Sequence, residues 1–314
     1  MSLSVHRHRL YGLSIESPFP LPCAPAVSAF DQPPDITVLW EPETAWDARC
    51  WRVTLTASSR EYPDIGADSD GSACLAWSDE LRFVINPGRD QIRIISRVAK
   101  LEFAPTVLVG YVLGYVLYLR GVLCLHGSVL ERGGRAIAVL GEHGAGKSTI
   151  AAALVQRGAL LLSDDLVVIP RTERGVFVEP GCAGMRLESA AVAQLLGSEA
   201  GLARVPYLNK LLWDFSGRMD TSDQRFCLRA TPLDALYVLE TSADDDGVNV
   251  GPPLSQSAAL CQLIAAFYPP GLLRLLTQER LSDLRALAAA APLRVIRYTK
   301  RWDQLPRLVE VLGA

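Results

Sequence analysis

The sequence predicts an α/β fold in which a core built around a phosphate-binding loop follows a β-rich unit, and three observations carry that reading. Gly141-Glu142-His143-Gly144-Ala145-Gly146-Lys147-Ser148-Thr149 fits the pattern G-x-x-x-x-G-K-[ST]. In that pattern glycines let backbone N–H groups close around phosphates, the lysine reaches the β/γ oxygens and the serine hydroxyl can ligate magnesium. Residues 135–140 read as a short buried strand and 148–157 as a helix closed by Gly158, which supplies the strand–loop–helix order the loop requires. Residues 1–100 alternate short apolar stretches with turn formers, as a small and mostly antiparallel β unit does.

Composition sets the outer limits. A chain of 314 residues with 49% hydrophobic and 21% charged residues can bury a substantial core. A net charge of −3 without a long basic run gives no electrostatic reason to expect nucleic acid as a partner. Seven scattered cysteines without a C-x-x-C suggest neither a disulfide framework nor a zinc site, and suit a reducing, cytoplasmic setting. The first residues lack the apolar core of a signal peptide, so no export address is expected.

In chain order, strands are predicted at 11–15, 35–40, 51–56, 81–85 and 91–95, with 17–22, 31–34, 66–72 and 86–88 as connections. His6 and His8 alternate as two ligands on a strand would, but no third ligand follows at useful spacing. The apolar run 106–119 has 14 residues, short of the roughly 18 to 20 a membrane span requires, and reads as a helix buried beneath the nucleotide domain. Residues 123–130 and 135–140, joined by Glu131-Arg132-Gly133-Gly134, form a hairpin whose first arm carries His126.

The return to the loop is the sharpest feature after the loop itself. A helix of about ten residues carries the chain ~15 Å from the phosphates. Gly158 turns it, and a strand of four or five residues at about 3.3 Å each brings Asp164 and Asp165 back beside the loop. One of two such carboxylates can hold Mg²⁺ while the other accepts the proton of an attacking hydroxyl. Adjacent strand residues point to opposite faces, so both reach the site only where the strand ends or bends.

Downstream, 176–180 and 181–187 suggest a strand and then a loop, strands are expected near 233–240 and 293–298, and helices at 188–196, 255–267, 272–291 and 304–312. Arg186 and Lys210 are candidate substrate or phosphate contacts, and 216–224 a candidate flap. Asp244-Asp245-Asp246 reads as a solvated hairpin tip. Arg294, Arg297, Lys300 and Arg301 form a basic cluster that could receive an acidic peptide, although alternating charges on an edge strand serve solubility more often.

Leu125-His126-Gly127, the hairpin, the Gly-rich loop, Gln156-Arg157-Gly158 and Ser163-Asp164-Asp165 together resemble the catalytic domain of HPr kinase/phosphorylase, related in fold to phosphoenolpyruvate carboxykinase. Pro232-Leu233, Tyr237-Val238-Leu239, Pro292-Leu293-Arg294 and Arg297-Tyr298 are similar to a branch associated with lasso-peptide biosynthesis, as are Tyr11-Gly12-Leu13 and Pro18-Phe19-Pro20-Leu21-Pro22. The resemblance implies a β-rich unit at 1–100 and a kinase-like catalytic domain at 101–314. It further implies ATP bound by residues 141–149, magnesium assisted by Ser148 and Asp165, Asp164 as general base, Lys147 on the phosphates and His126 in the active site. His143 stands where the bacterial enzymes commonly carry serine, and Glu179-Pro180-Gly181-Cys182-Ala183 lacks their Pro-Gly-Arg-Asn run.

These features predict an ATP-dependent kinase acting on a Ser/Thr hydroxyl of a peptide or protein, with a lasso-peptide precursor foremost. Its partners would exclude nucleic acid and membrane, with room for a homo-oligomer. A kinase of free serine, and a nucleotide-dependent regulatory protein with weak catalysis, are the rivals.

Overall fold

The computed structural model describes residues 5–41, 51–55, 62–77, 81–97, 102–206, 208–217, 224–243, 247–269 and 276–313. It is a mixed α/β structure of two compact units, Met1–Arg120 and Gly121–Ala314.

In the first unit β1 (His6–Leu10), β2 (Leu13–Ser17), β3 (Ile36–Glu41), β4 (Trp51–Leu55), β5 (Asp64–Asp68), β6 (Ala73–Trp77), β7 (Leu81–Ile85) and β8 (Gln91–Ser96) form one sheet. Its order is β1-β2-β3-β8-β7-β6-β5-β4. The sheet is mostly antiparallel, as expected, except that β3 pairs parallel with both β2 and β8. Residues 66–68, read as a connection, belong to β5. The turn itself is tighter, closed by Asp70 accepting from the backbone N–H and hydroxyl of Ser72 at 2.7 and 2.9 Å.

The apolar run becomes α1 (Ala104–Val107), a π-helical turn (Leu108–Val112) and α2 (Leu113–Leu119). It belongs to this first unit. Tyr111 stands edge-on to Trp77 of β6 at 5.5 Å, and Trp77 stands edge-on to Phe83 of β7 at 5.7 Å, so the helix buries its apolar face on the sheet of its own unit. No helix among the described residues is long and apolar enough to cross a membrane.

His8 is not a metal ligand in waiting. Its ring is 4% exposed, its Nε2 accepts from the Leu21 N–H at 3.2 Å, and its Nδ1 faces the Ala24 carbonyl at 3.2 Å. Both nitrogens are used by backbone, so the neutral Nδ1–H tautomer is the one that fits. Burial lowers the His8 pKa from its ordinary value, against the Ala24 bond that raises it. Unfolding therefore takes up a proton below about pH 6.5, and stability is lost as pH falls through 6.5 toward the depressed folded value. Urea midpoints at pH 7.5 and 5.5 should differ more for the native chain than for His8→Gln. An equal difference would remove His8 as the cause.

The second unit is organised on β9 (Leu123–Arg132) and β10 (Arg135–Gly141). Gly133 and Gly134, at φ +60° and +81°, make the two-residue turn between them, the positive-φ pair that matches strand twist in a tight hairpin. After β10 come α3 (Lys147–Gln156), β11 (Leu160–Ser163), β12 (Leu166–Ile169), β13 (Phe177–Val178), β14 (Gly184–Leu187), α4 (Ser189–Leu196), β15 (Ala203–Arg204) and β16 (Leu211–Asp214). Then follow β17 (Thr231–Thr241), β18 (Asn249–Pro253), α5 (Gln256–Ala265), α6 (Gln278–Ala290), β19 (Leu293–Tyr298) and α7 (Leu305–Gly313).

The central sheet runs β11-β9-β10-β17-β19-β18, with β12 also on β9, and β14-β16-β15 make a small separate sheet. β10, β17 and β19 are parallel. β11 is antiparallel to β9, as β10 is, so β10 and β11 run the same way. Their carboxyl ends therefore share one edge of the sheet, where the crevice of an α/β fold lies. Buried side chains of α3 (Ile150, Leu154), Met185, Phe215, Phe226 and Leu308 of α7 form the core against the β10 side of the sheet.

Two sequence readings change here. β19 lies between β17 and β18 and is not an edge strand. The basic cluster on it is largely engaged: Arg297 pairs with Glu240 at 3.0 Å, Arg294 donates to the Gly251 carbonyl at 3.3 Å and Arg301 pairs with Asp303 at 2.6 Å. Most of the candidate flap 216–224, and Asp244-Asp245-Asp246, lie outside the described residues.

Candidate active site

The loop leaves β10 at Gly141 and enters α3 at Lys147. Gly146, at φ +88°, precedes the helix in the left-handed region. A side chain there would be strained, and its Cβ would lie 2.9 Å from the Tyr298 hydroxyl. That hydroxyl, at the end of β19, donates to the Ala145 carbonyl. Burial pushes the Tyr298 phenol up to about 12, so it stays a donor across the physiological range. Glu142, His143 and Gly144 are exposed at the loop crest, whereas Ala145 is buried and Ser148 and Thr149 are half-buried on the first turn of α3.

Lys147 is 7% exposed. Its ammonium donates to the carbonyls of Gly141 and Glu142 at 2.8 and 2.9 Å, so it curls back over the loop's own backbone. Burial lowers its pKa, Asp165 and Asp164 act in the opposite sense, and nearby Lys210 adds to the lowering.

The two carboxylates sit where the sheet is interrupted. β11 and β12 both pair antiparallel with β9, one with residues 129–131 and the other with 123–126. The register on β9 shifts between Leu161 and Ser163, and between β11 and β12 the ladder lapses at Asp164 and Asp165, where Asp165 adopts φ +76°. That is a costly backbone state for a residue other than glycine. The break is internally bonded: the Ser163 hydroxyl donates to the Leu166 carbonyl at 2.6 Å and the Gly127 N–H to the Asp165 carbonyl at 3.3 Å. It is the bend that lets two neighbouring carboxylates serve one site.

They face different partners. Asp164, 7% exposed, accepts on Oδ1 from the hydroxyls of Ser128 and Ser148 at 2.6 and 3.1 Å, and on Oδ2 from the Arg186 N–H at 3.4 Å. Asp165, its side chain 34% exposed, lies 3.2 Å through Oδ1 from His126 Nδ1 and 3.5 Å through Oδ2 from the Arg186 guanidinium. Burial alone would raise the Asp165 pKa, but the hydrogen bond and charge of His126, with Arg186 and Lys210, hold the carboxyl well below the usual range.

His126 Nδ1 also lies 3.1 Å from the Asp165 carbonyl. Both neighbours are acceptors, so Nδ1 carries the proton in the neutral ring and Nε2 is left for another group. The His126 N–H donates to the Ala266 carbonyl at 2.7 Å, and the ring stacks on Tyr268 at 6.2 Å. Gly127 follows because nothing larger fits. A Cβ there would lie 2.6 Å from Leu140 Cδ2 and 2.8 Å from the Val139 carbonyl oxygen. Gly127→Ala should destabilise the unit by about 1–3 kcal/mol through this overpacking, read as a lowered denaturant midpoint. An unchanged midpoint would show that β9 and β10 can separate freely.

The structure thus brings Ser148, Asp164, Asp165, His126 and Arg186 into one contact network, with Lys147 close enough to feel the charge of both carboxylates and Lys210 close enough to act on Lys147 and Asp165. Ser128 and Tyr298 were missed by sequence reading. A serine inside an apolar strand and a tyrosine about 150 residues from the loop carry no local signal of what they touch. Glu179, whose backbone pairs with Val168 of β12, has its pKa raised by burial. Among the described residues, no group of three or more His, Cys, Asp or Glu is placed to hold a metal by itself.

No family model matches the sequence, and no curated protein matches it. Among solved structures the chain is similar to the HPr(Ser) kinase/phosphatase from Coxiella burnetii, at 12% identity over 60% of this chain and 94% of that one, with a TM-score of 0.31. A likeness of that size adds nothing to what the chain's own residues establish.

A nucleotide with magnesium fits the donor set present. The loop offers N–H groups and an ammonium to phosphate oxygens, while the Ser148 hydroxyl and the Asp164 carboxylate, 3.1 Å apart, are the hard oxygen ligands Mg²⁺ takes alongside phosphates and water.

Proposed function

We propose that this protein is an ATP-dependent kinase that phosphorylates a Ser or Thr hydroxyl of a peptide or protein. The observation that carries the reading is the meeting of Lys147 and Ser148 of the loop with Asp164 and Asp165 at the shared edge of β10 and β11. A nucleotide-binding protein without transfer needs the first pair. It does not need a second carboxylate held partly open beside a histidine.

When bound, ATP and magnesium would supply the phosphoryl group and the neutralising charge. The chain's own contribution is positioning and electrostatics. Residues 141–149 would cradle the phosphates, with Glu142, His143, Gly144 and Thr149 at the crest and first turn, and Lys147 would turn from its two carbonyls to phosphate oxygens. Ser148 and Asp164 would hold the metal.

Asp165 and His126 would form the proton-accepting end. Asp165 is ionised but, so stabilised, is a weak base alone. By fixing Nδ1–H it leaves His126 Nε2 to receive the hydroxyl proton. This exchanges the roles that the family resemblance implies for the two aspartates, because the Ser148 hydroxyl bonds to Asp164 rather than Asp165. Arg186 and Lys210 would offset the charge of the transferring group.

The resemblance to the lasso-peptide branch makes a precursor peptide the acceptor to try first. Labelled ATP and Mg²⁺ would be offered with such a peptide, HPr or free serine. Label on a peptide or protein hydroxyl supports the reading, label on serine alone replaces it with a metabolite kinase, and nucleotide binding with no labelled acceptor leaves the regulatory role standing.

A further inference from the structure

We infer that Ser128 is a positioning residue for magnesium: its buried hydroxyl fixes Asp164 beside Ser148 so that the two oxygens are set for the cation before it arrives. The inference rests on the proposal that Asp164 and Ser148 hold the metal. Ser128 lies on β9 directly across from Val139 of β10 and is 1% exposed. It is a polar residue in a strand otherwise buried as Leu123, Cys124, Leu125, Val129 and Leu130. A hydroxyl there costs stability unless it is bonded. Its partner is Asp164 Oδ1, at 2.6 Å, the shortest of the three contacts to that carboxylate.

The other two contacts are of a different kind. Ser148, on the first turn of α3, must turn its hydroxyl from Asp164 when its oxygen meets a cation, and the Arg186 N–H reaches Oδ2 at 3.4 Å, a long bond. Ser128 belongs to the rigid strand paired on both sides, with β10 and with β11. It is the fixed member of the set. Groups that orient a metal ligand from behind in this way typically change metal affinity 10- to 100-fold when removed.

The test is binding rather than turnover. A non-hydrolysable ATP analogue would be titrated into the native protein, Ser128→Ala and Ser128→Cys, with EDTA and then across a Mg²⁺ series, with thermal melts to confirm folding. For Ser128→Ala, the Mg²⁺ concentration at half-maximal tightening should rise 10- to 100-fold while affinity in EDTA stays within about threefold. The cysteine variant, of similar size and a weaker donor, should fall between the two. An unshifted Mg²⁺ midpoint in Ser128→Ala, or an equal loss of affinity in EDTA and in Mg²⁺, overturns the positioning role and leaves the kinase reading intact. Native protein whose analogue binding ignores Mg²⁺ overturns the metal-site reading and this inference with it.

Discussion

Lys147→Met is expected to lower kcat/KM for phosphoryl transfer on the order of 10³-fold while leaving the fold intact, because the ammonium is the group through which the loop meets the phosphate charge. Its placement makes the separation of effects clean. Lys147 is buried, its charge is disfavoured by desolvation, and its partners are the carbonyls of Gly141 and Glu142. Methionine fills much the same volume without the desolvation cost. Glu142 is exposed, so water can serve its carbonyl in the variant. The melting temperature should therefore change little. Steady-state kinetics with the identified acceptor, beside a thermal melt, check both halves. Activity retained within tenfold would mean that the transferred phosphate does not lie against this loop, and the proposed function would fall.

The loop and the carboxylate pair were legible in the sequence for different reasons. The loop is a local pattern whose glycines and lysine are spaced by backbone geometry alone. The nearness of Asp164 to the loop followed from lengths, since a ten-residue helix and a four-residue return strand nearly cancel, and β11 does run in the direction of β10, with β9 between them, to bring Asp164 within 3.1 Å of Ser148. What each carboxylate faces was not legible. It depends on a register shift just before Ser163 and a positive φ at Asp165, at the point where β9 passes from one partner strand to the next. No pattern in Ser163-Asp164-Asp165 announces that sharing.

Tertiary contacts set the remaining limits. Hydrophobicity says that the apolar helix 104–119 is covered, not by what; Tyr111 against Trp77 shows that the sheet of its own unit takes part. The arginines of β19 read as edge-strand charges because their partners, Glu240 and the Gly251 carbonyl, are distant in sequence. Strand 64–68 was hidden by its own composition, Asp-Ile-Gly-Ala-Asp, which reads as a connection until β4 and β6 are seen to pair on either side.

The two aspartates separate cleanly by substitution. Asp165→Asn should lower kcat about 10²- to 10⁴-fold with the Mg²⁺ dependence of nucleotide binding nearly unchanged, the scale of a lost acid–base group. Asparagine keeps the shape but cannot compensate an imidazolium, so His126 loses the charge that would stabilise it once it has taken the hydroxyl proton. Asp164→Asn should instead abolish or strongly weaken the tightening of nucleotide binding by Mg²⁺, since its Oδ1 is the oxygen facing the Ser148 hydroxyl. The converse pattern, with Mg²⁺ dependence lost in Asp165→Asn and only kcat lost in Asp164→Asn, would restore the assignment implied by the family resemblance. Geometry weighs against that converse. Both carboxylates have both oxygens engaged, but Asp164 is almost wholly buried, whereas Asp165 is a third exposed and holds a histidine whose Nε2 is left for an arriving hydroxyl. A base must meet its substrate, and of the two carboxylates Asp165 with its histidine is the one that can.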